Sequence, residues 1–369
     1  MDGLATLPSY GDADETYGPS STVMFTRSIG TSRDGNRKTS QPKRLDKPPP
    51  PLRDQDCVLP LRRNADDHLA CFWNFIHPVF PVLHQPTFTL QYNQLWNAQA
   101  EESSEYDERT FLALLNMVFA LGSRFSNTIP AEECDEAANE FWVRSRKVYS
   151  YDILDRPSMG VVQLLLLSGV YLQSSHSASA CWNTIGLAIR VAQSIGLHVE
   201  PEGGIQRRLT QLHTRRKVWH TCVSLDRYVA IVMTIASVHP MLTKSRLLAM
   251  TFGRPVMIAD AGRVPLPDVV DDEHVHDEGF RQPTNITSFM WLFVQSCKLF
   301  DILSDVLEVH STEATTSLQV EDLVIQTLKT NRRLEMFFKS VPPVLRDHSP
   351  TVVERSSSLQ LQQQILSCR

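Results

Sequence analysis

The sequence predicts an all-α fold, a large multi-helix body behind a disordered N-terminal tail. Apolar residues recur at steps of three and four in one stretch after another beyond Asp66. Nowhere do several alternating, strand-like runs follow each other with turn signals between them. The third observation is punctuation. Pro78, Pro157, Gly196 and the pair Pro342–Pro343 stand at the edges of the periodic stretches, where proline and glycine start or stop helices.

Residues 1–63 show no sustained periodicity, are rich in Gly, Ser, Thr, Pro and Asp, and contain PPPP at 48–51. That composition predicts a disordered, Pro-rich linker. Between Arg27 and Arg63 ten basic residues face four acidic ones. A positive tail of this kind can touch phosphates or an import receptor, although most such segments are solvated linkers.

The domain is expected to span 64–345. Asp66 or Asp67 is the expected N-cap of its first helix, with Leu69, Phe72, Trp73 and Ile76 at helical spacing and Pro78 ending it. Segment 76–88, IHPVFPVLHQPTF, is apolar yet holds three prolines. It reads as an extended piece laid over a core. His77 and His84 bring no carboxylate or cysteine set at ligand spacing, so they read as core or capping residues. Phe111–Leu121 is nearly all apolar and predicts a buried helix. Ala138, Trp142 and Tyr149 share the face of the next, beside Phe141 and Val148. Pro157 is expected in the first turn of a helix that leads into VVQLLLLSGVYL (161–172), a run too short for a bilayer. Ala180–Leu197 carries Trp182, Ile185, Ile189 and Ala192 on one stripe, closed by Gly196.

After a PEGG loop at 201–204 comes RRKVWHTCVSLDR, in which Arg215, Trp219, Cys222 and Asp226 fall on one helical row. A buried Asp226 needs a donor. Arg215 lies roughly 16 Å away along the axis, and Arg227 points to another side. Arg254, in the later GRP turn, is therefore the expected partner. The acidic stretch DDEHVHDE (271–278), with His274 and His276, reads as an exposed loop rather than a metal site. Helical spacing resumes over 286–307 and 318–338, and residues 346–369 read as a tail or a truncated helix.

The net charge of −5 argues against a chain that is basic throughout, as free-standing nucleic-acid binders often are. Seven scattered cysteines without a C-x-x-C pair fit a reducing compartment, with Cys71, Cys181 and Cys222 as small core residues. No apolar run approaches the ~18 residues of a membrane span. Gly-rich phosphate loops, H-E-x-x-H and G-x-S-x-G are absent, so no enzyme is expected and no catalytic residue stands out.

Five segments together resemble the fungal-specific transcription factor domain, the middle homology region of fungal binuclear zinc-cluster regulators. They are FWNFIHPVFPVLHQPTF (72–88, with His77 and Pro78), GLAIRVAQSIGLHVE (186–200, with Arg190) and RRKVWHTCVSLDR (215–227). The third supplies Arg215, Arg216, Trp219, Asp226 and Arg227. The fourth is GRPVMIADAGRVPLPDVVDDE (253–273, with Gly253, Arg254, Pro255, Asp271 and Asp272) and the last, more loosely, LKTNRRLEMFFKSVPPVL (328–345). The resemblance covers about residues 66–345.

It implies a regulatory domain in a transcription factor-like regulator of RNA polymerase II genes, working in a fungal nucleus. Its Arg and Asp motif residues are expected to hold the fold. The family's DNA-reading module is a six-cysteine cluster around two zinc ions, but residues 1–63 hold one cysteine, Cys57. No zinc or other cofactor is therefore expected in this chain, and DNA contact is expected to be indirect or weak, through the basic tail. The implied partners are related regulators, as homo- or heterodimers, or a small-molecule effector, and no membrane. The alternative is an effector-sensing or dimerising scaffold that modulates an intact relative without contacting DNA. In the family the L-D-R helix and G-R-P turn lie close together, whereas 25 residues separate Arg227 from Gly253 here. Residues 231–249 are thus expected to be an insert foreign to the fold, such as an intron translated in frame. The competing expectation is a helical extension through IVMTIASV.

Overall fold

In this computed structural model the described residues are 58–97, 106–149, 156–175, 177–200, 208–238, 256–258, 264–283, 286–309 and 320–346. Residues 1–57 of the expected tail (1–63), the GRP turn with Gly253, Arg254 and Pro255, and residues 347–369 lie outside them. The periodic stretches form α1 (Arg62–Cys71), α2 (Gln85–Gln94), α3 (Glu108–Gly122), α4 (Cys134–Val148), α5 (Met159–Gln173) and α6 (Ala178–Ser194). The long α7 (Leu209–Val238) follows, then the two-residue strands β1 (Val275–His276) and β2 (Gly279–Phe280), and finally α8 (Met290–Val309), α9 (Val320–Ser340) and α10 (Pro343–Arg346). The class is all-α. The strands make one minimal antiparallel hairpin, Val275 opposite Phe280, inside the acidic stretch.

Two helices without a polar face occupy the centre. Every residue of α3 from Thr110 to Gly122 is buried, and so is every residue of α5 from Gly160 to Leu172. Asp107 caps α3 by accepting the Thr110 N–H at 3.0 Å, and Ser158 caps α5 by accepting that of Val161 at 3.3 Å. Pro157 thus precedes the cap rather than sitting in the first turn. Helices α1 and α4 pack against α3, α6 packs against α5 and passes contact on to α7, and α7 passes it to α8 and α8 to α9. Cys71, Cys181 and Cys222 are buried in this core as free thiols.

The sequence expectations need three corrections. First, α1 begins at Arg62, with Leu61 at the cap position and no side-chain cap. Asp66 and Asp67 lie inside the helix and work sideways, where Asp66 accepts from Tyr92 Oη at 2.6 Å and Asp67 from Ser126. Second, the proline-punctuated segment is extended only in part. A π-helical turn, Phe72–Ile76, runs up to His77–Pro78, and α2 begins at Gln85 with Pro86 in its first turn, where a missing N–H costs nothing. Third, α8 starts at Met290 rather than near Ile286, because Ser288 Oγ and Asp271 Oδ1 accept the N–H groups of Met290 and Phe289 there.

Gly196 does close α6. Its φ of 71° is left-handed, and the Leu197 N–H reaches back to the Ala192 carbonyl at 2.9 Å while its own N–H meets Gln193 at 3.1 Å. The backbone of α7 stays helical to Val238, as the extension through IVMTIASV would have it, and 239–249 lie outside the described residues.

Candidate functional site

From His213 to Arg227 every residue of α7 is buried except Arg215 and Arg216, which are half-buried. A helix enclosed on all sides must pair its polar side chains, since each orphan costs about 1–3 kcal/mol. The pairing forms a polar seam along α7.

At its start Arg215 donates to the Gly196 carbonyl at 2.8 Å and so grips the end of α6, where a cation also suits the helix dipole. Arg216 binds Glu200 at 2.6 Å and Asp268 at 3.4 Å. His213 and His220 use Nε2 against backbone carbonyls, of Asp268 at 3.2 Å and of Val264 and Pro265 at 3.0 and 3.1 Å. Trp219 is buried with its ring 6.0 Å from that of His198. At the far end Arg227 meets Asp301 of α8 at 3.1 Å, and Asp301 also accepts from Arg333 of α9 at 3.0 Å.

Asp226 is satisfied by the backbone. Its Oδ2 accepts the N–H groups of Met257 and Ile258 at 2.8 and 2.9 Å, while Arg254, the expected partner, lies outside the described residues. Burial raises the Asp226 pKa, while the two N–H donors oppose the rise.

At the middle stands a group that sequence reasoning did not assemble. The Lys217 ammonium pairs with Asp272 Oδ1 and donates to the Leu83 carbonyl at 3.2 Å. Asp272 Oδ2 accepts the Gln85 N–H at 3.0 Å, which places the carboxylate at the N-terminus of α2. Three imidazoles surround the pair. His77 Nε2 lies 3.6 Å from Oδ2, too far for a hydrogen bond, and His213 Nδ1 lies 4.0 Å from Oδ1. His84 is held by Thr87 at 2.6 Å. Burial, the largest single influence, would raise the Asp272 pKa, but Lys217 together with His77 and His84 outweighs it and holds the carboxyl well below its usual range. Burial lowers all three histidines, His213 to about 4 with Lys217 adding to the fall. At neutral pH the centre therefore holds one cation, one anion and three uncharged rings.

The acidic stretch is thus no solvated loop at its start. Asp271 accepts from Ser288 Oγ at 2.6 Å and Phe289 N–H at 3.0 Å to begin α8, while Asp272 begins α2 and pairs with α7. Neighbouring carboxylates point to opposite sides and fasten three helices. Pro78 is buried beside His77, whose ring lies 4.8 Å from Trp73 and 5.1 Å from Phe289. Arg190 is exposed on α6 and belongs to none of this. His274 and His276, in the same acidic stretch, join neither carboxylate's network. Among the described residues no group of three His, Cys, Asp or Glu side chains stands ready for a metal ion, and none of the described helices is long and apolar enough to cross a membrane.

Comparison with known proteins gives the seam a context. The family described as fungal specific transcription factor domain matches residues 69–244. The Sorbicillinoid biosynthetic cluster transcription factor 2 of Penicillium rubens is 31% identical over 47% of this chain and 25% of its own length. The sorbicillinoid biosynthetic cluster transcription factor sor3 of Hypocrea jecorina is 34% identical over 45% of this chain and 25% of its own. The activator of stress genes 1 of Saccharomyces cerevisiae is 22% identical over 82% of this chain and 30% of its own. The chain therefore aligns with about a quarter to a third of the length of these curated relatives. No solved structure matches. The stretch of this chain that matches the fungal specific transcription factor domain family, residues 69–244, thus takes in the seam helix from Leu209 onward.

Proposed function

We propose that the chain is a transcription regulator of RNA polymerase II genes in a fungal nucleus, with the helical body as its regulatory part. The match of residues 69–244 supports this reading, together with relatives that are themselves named transcription factors. The seam fits it physically, because its charged groups are spent on joining helices and the reading assigns them no reaction.

A binuclear zinc cluster does not fit residues 1–63, which offer only Cys57 as a thiolate ligand. The proposal therefore gives those residues no zinc. DNA contact by this chain rests on the basic residues between Arg27 and Arg63. Such binding is weak, indifferent to sequence and lost with added salt.

The test is to tether the full chain, through a heterologous DNA-binding domain, upstream of a reporter in a fungal host. A several-fold change in reporter transcript, up or down, is expected, and a fluorescently tagged chain is expected in the nucleus. An inert tethered chain, or one excluded from the nucleus, overturns the reading.

A further inference from the structure

Among the described residues, helix α9 is fastened along one edge only. Phe337 and Val341 pack on Leu299 and Ile302 of α8, with Leu334 beside them, and Arg333 binds Asp301 and Asp305. From Glu321 to Arg332 the helix is otherwise open, with only Leu323 and Thr330 half-buried. Val324, Ile325 and Leu328 are 52%, 50% and 63% exposed. A lone exposed leucine means little. Three large apolar side chains within five residues, on an uncovered helix, mark a contact surface.

The order of residues on that face narrows the partner. Glu321, Ile325, Leu328 and Arg332 follow at i, i+4, i+7 and i+11, which is one stripe of a helix. The stripe reads acid, apolar, apolar, base, and turning it end over end exchanges the acid for the base. An antiparallel pair with its twofold axis between Gln326 and Thr327 sets Glu321 opposite Arg332 and Ile325 opposite Leu328, twice over. Val324 then faces Lys329, whose methylene stem can cover it. Such self-complementarity is what a closed twofold interface requires. Arg332 is available for it, since the neighbouring Arg333 is the one that serves the chain's own Asp301 and Asp305.

We propose that this face of α9 docks antiparallel onto the same face of a second copy of the chain. The paired stretch is about 18 Å long at ~1.5 Å per residue. One helix face of that length covers less than a standard interface of ~800 Å² per partner, so the dimer is reversible and concentration-dependent.

Sedimentation velocity on the full chain between about 1 and 100 μM, a range suited to weak pairs, tests it. A monomer–dimer equilibrium is expected. Glu321→Arg and Arg332→Glu are each expected to weaken it about ten-fold or more, because either change puts like charges together at both ends. Mixing those two variants is expected to restore pairing, as is the double variant E321R/R332E, and Leu328→Lys is expected to abolish it. Circular dichroism shows whether these surface variants keep the fold. A chain that stays monomeric throughout the range overturns the proposal, as does a dimer indifferent to the charge reversals. Either result assigns the face to another occupant, residues 347–369 of the same chain included.

Discussion

Lys217 and Asp272 form an ion pair with side chains 0% and 1% exposed. Stripping water from both charges costs several kcal/mol per ion, which only good geometry and filled hydrogen-bond positions recover. Here the Leu83 carbonyl and the Gln85 N–H fill them. The pair is therefore a device for holding α7 against α2 and the turn before β1, and it is intolerant of losing one member.

Lys217→Met leaves a buried carboxylate with no counter-ion and is expected to cost about 3–5 kcal/mol, as is Asp272→Leu from the other side. The double variant should cost clearly less than their sum, since it removes both charges together. Urea denaturation of the four proteins decides this, and strictly additive losses would contradict the pairing.

Acid should unfold the protein earlier than an ordinary helical domain. The folded pKa of Asp272 is depressed, so its stabilisation is present above the unfolded carboxylate range and is lost as pH falls. The folded pKa values of His77, His84 and His213 are also lowered, so the unfolded chain takes up protons first as pH drops below about 6.5. Both effects have the same sign. For His213, whose ring faces Lys217, Asp268 and Asp272, the window runs from 6.5 down to about 4 and is worth about 3 kcal/mol. His213→Gln should flatten the stability curve between those limits while leaving its slope at pH 8 unchanged, as measured by denaturation at a series of pH values.

Asp226 discriminates between a charge and an acceptor. Since two backbone N–H groups are its partners, Asp226→Asn keeps one good acceptor and should cost about 1 kcal/mol. Asp226→Ala orphans both donors, and a loss of about 2–4 kcal/mol is expected. Equal losses for the two would mean that an unseen cation matters more than the backbone does.

Gly122→Ala sets propensity against space. In a helix alanine is favoured over glycine by about 1 kcal/mol. At Gly122, however, a Cβ would lie 2.0 Å from the backbone oxygen of His68, which belongs to α1 and has no free end to move. The substitution should destabilise by about 2 kcal/mol or more. A variant with a raised melting temperature would show that α1 and α3 are not locked there.

Much of this fold was legible because its helices are long, apolar and punctuated. Helix α3 and the closure of α6 at Gly196 follow from residue spacing and from the ease with which glycine takes a left-handed position. The seam was legible in part. Asp226 announced that it needed a partner, but backbone N–H groups carry no sequence signal, so the donors at Met257 and Ile258 could not be named in advance. Lys217 escaped notice because a lysine after two arginines ordinarily belongs to a solvated basic cluster. The available clue was His213, Lys217 and Thr221 at steps of four on the same helix as buried Trp219 and Cys222. A polar row and an apolar row side by side describe a helix enclosed on both sides. Segment 76–88 was misread for a different reason, since three prolines weigh against helix in general but Pro86 falls in a first turn.

The span of the Lys217–Asp272 pair also sets an order of events during synthesis. The lysine is made 55 residues before its counter-ion. At about 5–20 residues per second the ribosome leaves it alone for roughly 3–11 s. During that interval α1–α6 can assemble around α3 and α5, whose contacts with α1, α4 and α6 are all made by then. Helix α7 cannot be enclosed without stranding a bare ammonium, so it must wait at the surface of the nascent chain until Asp272 emerges from the tunnel.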